Sequence, residues 1–224
     1  TIIAAAYSCR ILAMLDIGGA WVNYIRAALY LLLFSLWGYS IDRRIIQKQA
    51  MHCLRLTAAL MLLWLILRTL KYEFVTDLTV ARYIWYLYYL PMLFIPLLGV
   101  YIALTLGKSE EYRLTERAGF LVAVPGILFL LVITNDLHQQ VFSFPSGVLS
   151  DQEYRYESGY FFVLGWEALC AGFALLSMVK NCRIPRSRRI RWLPLVPLAL
   201  SLVYACMYIK KVYWVWVLAG DMTV

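Results

Sequence analysis

Charged residues are scarce in this chain, and their scarcity indicates which solvent surrounds it. Only 15% of the 224 residues are Asp, Glu, Lys or Arg, whereas 63% are hydrophobic. Soluble domains typically have about 25% charged and about 45–50% apolar residues. A chain with so few polar side chains cannot cover a water-soluble globule of this size. We therefore expect lipid to be its solvent and the bilayer to be its first partner.

Alternation of polar and apolar residues is also missing from the hydrophobic stretches. In lipid, only α-helices and closed β-barrels satisfy every backbone polar group. The stretches here are continuously apolar over about 20 residues, the length at which a helix crosses the hydrocarbon core. The pattern excludes a barrel and predicts an all-α fold, a polytopic transmembrane helical bundle.

Metal ligands are few and poorly spaced. Histidine occurs only twice, at His52 and His138, and the five cysteines show no spacing typical of a metal site. The long loop between residues 134 and 159, which we predict to be extracytoplasmic, contains none of the cysteines, so disulfides are not expected either. We predict neither a metal site nor a cofactor.

Catalytic motifs are absent as well. The chain has no Gly-rich phosphate loop, no His-Glu-x-x-His and no Gly-x-Ser-x-Gly. The adjacent acids Glu110 and Glu111 lie among basic residues, as in an ordinary solvated turn. We therefore predict no catalytic residues and no enzyme in this sequence, and a membrane enzyme acting on lipid is disfavoured for lack of paired catalytic groups.

The apolar stretches predict six complete spans and the start of a seventh. The predicted spans are residues 21–40, 52–70, 83–106, 118–134, 159–179 and 192–209. Residues 213–224 form a further apolar segment of about half the length needed to cross the membrane. We expect residues 1–20 to be a signal-peptide remnant or a surface segment. Residues 21–224 would form the membrane domain, truncated in its seventh span.

The distribution of basic residues predicts the orientation. Most of the 21 Lys and Arg residues fall between spans one and two, three and four, and five and six, with the densest run at residues 183–191. Because basic loops stay cytoplasmic, the N-terminus is predicted to lie outside. The net charge of +8 also suggests nucleic-acid binding as an alternative function. No basic domain stands apart from the spans, so nucleic acid is not expected as a partner.

Ionisable and aromatic residues near the predicted outer half of the bundle are the candidates for binding a ligand. Charged side chains at membrane depth are costly and usually face an interior or a cavity. Arg26, Arg68 or Lys210 could pair with Asp136, Glu167 or Asp221. The alternative is that such pairs only neutralise one another or reach the interface, and that the outer aromatic residues only anchor the helices. The candidate ligand-binding residues are Arg26, Arg68, Tyr89, Asn135, Asp136, His138, Trp166, Glu167 and Asp221.

Several short motifs carry a family resemblance. They are residues 134–139 (Thr-Asn-Asp-Leu-His-Gln) followed by Phe142 and Phe144, residues 86–91 running on to Pro96, residues 165–167 (Gly-Trp-Glu), the basic loop before Leu193-Pro194, and Gly220-Asp221. From about Trp21 onward, the sequence resembles the N-terminal seven-transmembrane region of bacterial sensor histidine kinases and related clostridial-type membrane proteins.

The resemblance implies a sensory module with its N-terminus outside, in a bacterial cytoplasmic membrane. Such a module would bind a small extracytoplasmic or membrane-borne ligand and relay the signal to a cytoplasmic signalling domain or protein, with a homodimer as one arrangement. The resemblance assigns no ligand residue, and any kinase activity would lie outside these residues. A small-molecule transporter or channel, or an accessory membrane subunit, remains the alternative, although the chain lacks the internal repeat typical of transporters.

Overall fold

A computed structural model describes residues 19–44, 47–106, 119–149 and 153–181, together with isolated positions before residue 19 and between residues 108 and 114. The chain divides into two compact units, Thr1–Ala174 and Leu175–Val224. The candidate site lies within the first unit. The predicted sixth span and the start of the seventh, with Lys210 and Asp221, lie outside the described residues.

The described part of the chain is mostly helical, as the sequence predicts. A short 3₁₀ turn, Phe120–Val122, leads into the fifth helix. A two-stranded antiparallel ribbon, which the sequence did not predict, pairs Phe142 with Tyr156 and Ser143 with Arg155. The elements are α1 (Gly19–Arg44), α2 (Lys48–Glu73), α3 (Leu78–Leu87), α4 (Tyr89–Thr105), α5 (Ala123–Ile133), α6 (Asn135–His138), β1 (Phe142–Ser143), β2 (Arg155–Tyr156) and α7 (Ser158–Asn181).

Four helical stretches among the described residues are long and apolar enough to cross a membrane. They are Trp21–Ile41, Lys48–Glu73, Leu78–Thr105 and Ser158–Lys180. A shorter apolar helix, Phe120–Ile133, occupies the region of the fourth predicted span. The structure therefore confirms a helical membrane protein, while the total of six complete spans and the outside N-terminus stay predictions.

Helix α2 is longer at both ends than the predicted span of residues 52–70. It runs from Lys48 to Glu73 and ends where the Phe74 N–H donates to the Leu70 carbonyl. Arg68, expected at the end of this span, instead lies inside the helix, with its guanidinium 6.0 Å from the centre of the Tyr72 ring. The apolar run ends at residue 70, but the backbone hydrogen bonds continue, so hydropathy alone places the helix end too early.

The third membrane-crossing stretch also starts earlier than predicted. Asp77 precedes α3, and its Oδ1 accepts a hydrogen bond of 2.9 Å from the Val80 N–H. An N-cap aspartate satisfies one of the backbone donors that a helix start leaves unpaired. Arg82 consequently lies within a helix rather than in a loop, which matters for the candidate site.

Prolines explain the break between α3 and α4. Pro91 has no N–H to donate to the Leu87 carbonyl, and its ring crowds that carbonyl, so the regular helix is interrupted at Tyr88. The Tyr88 N–H bonds instead to the Trp85 carbonyl, at 3.1 Å. Pro96 lies further inside α4. The stretch Leu78–Thr105 is thus divided into two helices at Tyr88.

Helix α4 is at the centre of the packing. Its residues Leu97, Leu98 and Tyr101 form one apolar cluster with Cys53 of α2. Tyr30 of α1 packs on Leu65 of α2 in another cluster. Among the described apolar side chains of α1, only Val22, Tyr30 and Ile41 are buried, as expected for a helix that faces lipid.

Replacing the N-cap of α3 tests the early start of this helix. Asp77→Ala should lower the free energy of unfolding by about 1 kcal/mol, because the Val80 N–H loses its acceptor. Denaturant unfolding in detergent micelles measures the change. Asp77→Asn keeps an acceptor oxygen and should stay close to the wild type. An Asp77→Ala protein as stable as the wild type would show that the cap is unimportant.

Candidate functional site

Asn135 fixes the chain as it leaves α5. Its side chain is fully buried. Its Oδ1 accepts hydrogen bonds from the Val141 and Phe142 N–H groups, both at 3.0 Å, and its Nδ2 donates to the Phe142 carbonyl at 2.9 Å. One amide side chain thereby satisfies three backbone groups at the start of β1. An amide suits this position because it both donates and accepts.

Asp136, the next residue, ties the same segment to α3. Its Oδ2 accepts from Arg82 Nε at 3.2 Å and Nη2 at 2.9 Å, and its Oδ1 accepts from the Tyr86 hydroxyl at 2.8 Å. Arg82 Nη1 donates to the Leu149 carbonyl, and the Arg82 and Asp136 side chains are 6% and 15% exposed. Arg82, Tyr86, Asn135 and Asp136 form what we call the polar network, in which both charges have partners.

Phe142 is at the centre of an aromatic cluster. Its ring is fully buried, and its centroid lies between 4.5 and 6.2 Å from six other ring centroids. These rings come from α3, α4, the hairpin of residues 142–156 and the start of α7. They belong to Trp85, Tyr86, Tyr89, Tyr154, Tyr156 and Tyr160. The cluster joins the hairpin to three helices.

His138 shapes the turn between α6 and β1. Its Nδ1 accepts a hydrogen bond of 3.0 Å from the Gln140 N–H, and its Nε2 lies 3.3 Å from Thr134 Oγ1. Between these residues Gln139 has φ of 47°, in the left-handed region, as at many helix ends. The His138 ring thus supports a reversal of the chain.

The C-terminal end of the hairpin is held next to its N-terminal end at the start of α7. The Gly159 N–H donates to the Gln140 carbonyl at 2.9 Å, and Ser143 Oγ donates to Glu157 Oε1 at 2.6 Å. A Cβ at Gly159 would lie 2.8 Å from the Gln140 oxygen, so only glycine allows this approach. The hairpin is therefore anchored at both of its ends.

Glu167 lies further along α7, and its hydrogen bonding differs from that of Asp136. Its Oε1 is buried and has no hydrogen-bond partner among the described residues. Val163 and Cys170, which share its helix face, are both buried. The carboxylate lies within electrostatic range of the Tyr89 hydroxyl. At this position the bundle contains an acid whose Oε1 accepts no hydrogen bond from the described residues.

Trp166 connects α7 to α4. Its Nε1 donates to the Leu93 carbonyl at 3.0 Å. Leu93 lies between Pro91 and Pro96, where the prolines already reduce backbone hydrogen bonding in α4. Trp166 and Glu167 are adjacent on α7, so a displacement of this part of the helix would move both side chains.

The structure brings most of the predicted site residues to two neighbouring places. Asn135, Asp136 and His138 organise the hairpin, whereas Trp166 and Glu167 lie on α7, and Tyr89 belongs to the aromatic cluster next to both. Arg26 lies on α1 and Arg68 on α2, while Asp221 is outside the described residues.

Sequence reasoning missed the arginine that pairs with Asp136. The expected candidates were Arg26, Arg68 and Lys210, but the structure pairs Asp136 with Arg82. Arg82 was assigned to a loop because the start of α3 was placed too late. The Asp77 cap, together with the four-residue spacing of Arg82 and Tyr86 on one helix face, was the available signal.

The comparison with known families agrees with the resemblance carried by the motifs. The model of the N-terminal 7TM region of histidine kinase matches residues 25–220. The chain belongs to this family. No match was found among curated proteins or solved structures. The 7TM region is the sensor part of histidine kinases, so this chain is a membrane sensor region and the match includes no catalytic domain.

The two acids of this 7TM region differ in what they can do chemically. Asp136 accepts three hydrogen bonds, two from Arg82 and one from the Tyr86 hydroxyl, so its role is to hold the hairpin. Glu167 still has an oxygen able to accept a hydrogen bond. Among the described residues no group of three or more His, Cys, Asp or Glu side chains could hold a metal ion.

A double-mutant cycle tests whether Arg82 and Asp136 act as a pair. Breaking a buried ion pair costs about 3–5 kcal/mol. We therefore expect Arg82→Met and Asp136→Ala each to lower the free energy of unfolding by roughly 2–3 kcal/mol, allowing for their partial exposure. The double variant should lose clearly less than the sum. Denaturant unfolding in micelles gives all four values.

Arg43→Met is the matched control for this cycle. Arg43 also bonds to a tyrosine hydroxyl, that of Tyr39 at 2.9 Å, but on an exposed surface. It should change stability little. Additive effects of the Arg82 and Asp136 substitutions would contradict a coupled pair.

Proposed function

We propose that this chain is the signal-sensing membrane module of a bacterial histidine kinase. It binds a small extracytoplasmic or membrane-borne ligand and relays the signal to a cytoplasmic signalling domain. Residues 21–224 form this module in the cytoplasmic membrane, with the N-terminus outside, and residues 1–20 are a signal-peptide remnant or a surface segment. A homodimer would fit the relay.

The single observation that carries the ligand site is the unsatisfied oxygen of Glu167. An ionisable side chain within a membrane span is costly, and such residues usually mark a functional site. A buried polar atom without a partner costs about 1–3 kcal/mol in the folded protein. A bound ligand that donates to Oε1 would recover this free energy, so Glu167 favours a ligand-bound state.

The other predicted site residues take supporting roles in this proposal. Asn135, Asp136 and His138 hold the hairpin over the helix ends, and their described hydrogen bonds are internal to the protein. Tyr89 and Trp166 adjoin Glu167 and are the nearest candidates for direct contact. Arg26, Arg68 and Asp221 stay candidates on other segments, without a described contact that links them to Glu167.

Trp166 supplies a path for the relay. A ligand at Glu167 would shift the adjacent indole, and with it the hydrogen bond to the Leu93 carbonyl in the proline-containing helix α4. Such a shift transmits a signal only if the protein has two arrangements that the ligand binds with different affinity. In this proposal the two arrangements differ at Tyr88, where the helix is interrupted. No observation on the described residues favours a transporter, a channel or an accessory subunit instead.

The test uses the full-length protein in its native membrane. Autophosphorylation is followed while fractions of culture extract are added, and protein abundance is measured in the same samples. Glu167→Gln should reach normal abundance but lose most of the response, because the amide has no negative charge and only one acceptor oxygen. Glu73→Gln removes an acid from the C-terminal end of α2, outside the proposed site, and should respond normally.

A Glu167→Gln protein that is abundant and fully responsive would remove Glu167 from the sensing site. A protein whose phosphorylation changes with no extract fraction, in the wild type as in the variant, would contradict the sensor role itself.

A further inference from the structure

We propose that the ligand of the Glu167 site is a small organic cation, an amine whose ammonium group pairs with the carboxylate and whose apolar part contacts the aromatic cluster. This inference rests on the proposed sensor function and specifies the ligand's chemistry. Three observations lead to it: the missing counter-charge, the aromatic rings and the acidic hairpin.

The first observation concerns charge around Glu167. Helices α4 and α5 contain no charged residue, and Glu167 is the only charged residue of α7 before Lys180. One apolar cluster joins Val163 of α7 to Leu93 of α4 and Val132 of α5, so these helices form the surroundings of the carboxylate. Arg82, the one basic residue of α3, is already paired with Asp136.

No cation of the described residues therefore neutralises Glu167. Helix α2, which packs on α4, carries basic residues, but none of them donates to Glu167 Oε1. A carboxylate in such surroundings strongly prefers an opposite charge with an N–H donor. A ligand ammonium supplies both.

The second observation is the concentration of aromatic rings on the hairpin side of Glu167. Tyr156 and Tyr160 stack with centroids 4.1 Å apart, and Trp85 and Tyr154 lie 4.6 Å apart. Tyr160 precedes Glu167 by two helical turns on the same face, a rise of about 10 Å. The faces of such rings attract organic cations and are the usual means of recognising ammonium ligands.

The third observation is the charge of the hairpin itself. Between residues 139 and 157 the sequence has three acids, Asp151, Glu153 and Glu157, and one base, Arg155. An acidic approach raises the local concentration of cations and repels anions. Charge and ring faces thus favour the same class of ligand on the hairpin side of Glu167.

An organic cation fits the described residues better than a metal ion. A hard metal ion needs several oxygen ligands, and the described residues hold no cluster of acids that could supply them. A single carboxylate beside tyrosine and tryptophan rings matches an ammonium group with an apolar body. The amine could be a soluble molecule or the headgroup of a membrane lipid, which share this chemistry.

Direct binding measurements separate these cases. The full chain is reconstituted in nanodiscs of phosphatidylglycerol, which has no amine. Phenethylammonium is titrated against its neutral analogue 2-phenylethanol, with tryptophan fluorescence and calorimetry as readouts. We expect the cation to bind at least about tenfold more tightly than the alcohol, through its charge-assisted hydrogen bond and cation–π contacts.

Two variants test whether Glu167 causes the preference for the cation over the alcohol. Glu167→Gln should reduce it to about twofold or less, because the neutral amide attracts the alcohol as well as the cation. Glu73→Gln removes the same charge from the C-terminal end of α2, outside the site, and should retain it. Adding phosphatidylethanolamine to the nanodiscs distinguishes the sources: competition with phenethylammonium indicates a lipid headgroup, and its absence indicates a soluble amine.

Several results would overturn the inference. They are equal binding of the alcohol and the cation, an unchanged preference in Glu167→Gln, or no saturable binding of phenethylammonium. Binding that emerges only in Lys210→Gln would show that a lysine of the chain itself occupies the site, which also overturns it.

The phosphorylation experiment keeps this inference separate from the proposed function. An output that depends on Glu167 without amine binding would reject the ligand class and retain the sensor site. Amine binding lost in Glu167→Gln, with an output that ignores Glu167, would retain the binding site and reject its sensing role.

Discussion

The described structure depends on two adjacent polar side chains, Asn135 and Asp136, that join segments far apart in the sequence. Asn135 satisfies backbone groups at the start of β1, and Asp136 accepts from Arg82 and Tyr86 of α3. With these contacts the chain leaving α5 turns back over the helix ends, and Phe142 enters a ring cluster built by α3, α4 and α7. Without them the Phe142 backbone would be buried with unpaired polar groups, which costs about as much as the aromatic packing contributes.

Asp136 and Glu167, both partly buried, show how a membrane protein can use the same functional group for different purposes. Asp136 has an arginine partner and several donors, and a fully paired carboxylate of this kind holds structure in place. Glu167 lies among apolar neighbours on α7 with an oxygen that no described residue satisfies. In our proposal, that difference separates the residues that support the site from the residue that binds the ligand. The Trp166 indole, next to Glu167 in sequence, bonds to the Leu93 carbonyl of α4.

Much of this arrangement follows from the sequence, and its exceptions have physical causes. The apolar runs predict the membrane helices because their hydropathy matches the lipid core, and the ionisable and aromatic residues in the predicted outer half include Tyr89, Asp136 and Glu167. Arg82 was missed because a helix start set by the Asp77 cap leaves no trace in hydropathy. The pairing of Phe142 with Tyr156 depends on contacts with α3 and α7, which no local pattern of the loop contains.

Hydrogen exchange at the Val141 and Phe142 amides tests the central role of Asn135 most directly. Both amides donate to Asn135 Oδ1, so Asn135→Ala should accelerate their exchange by roughly 10- to 100-fold, the equivalent of a lost buried hydrogen bond. Asn135→Asp keeps the acceptor and should accelerate them less, while the amides of α1 and α2 should keep their wild-type rates in both variants. Unchanged protection of Val141 and Phe142 in Asn135→Ala would contradict the account, because the hairpin would then be held in place without this side chain.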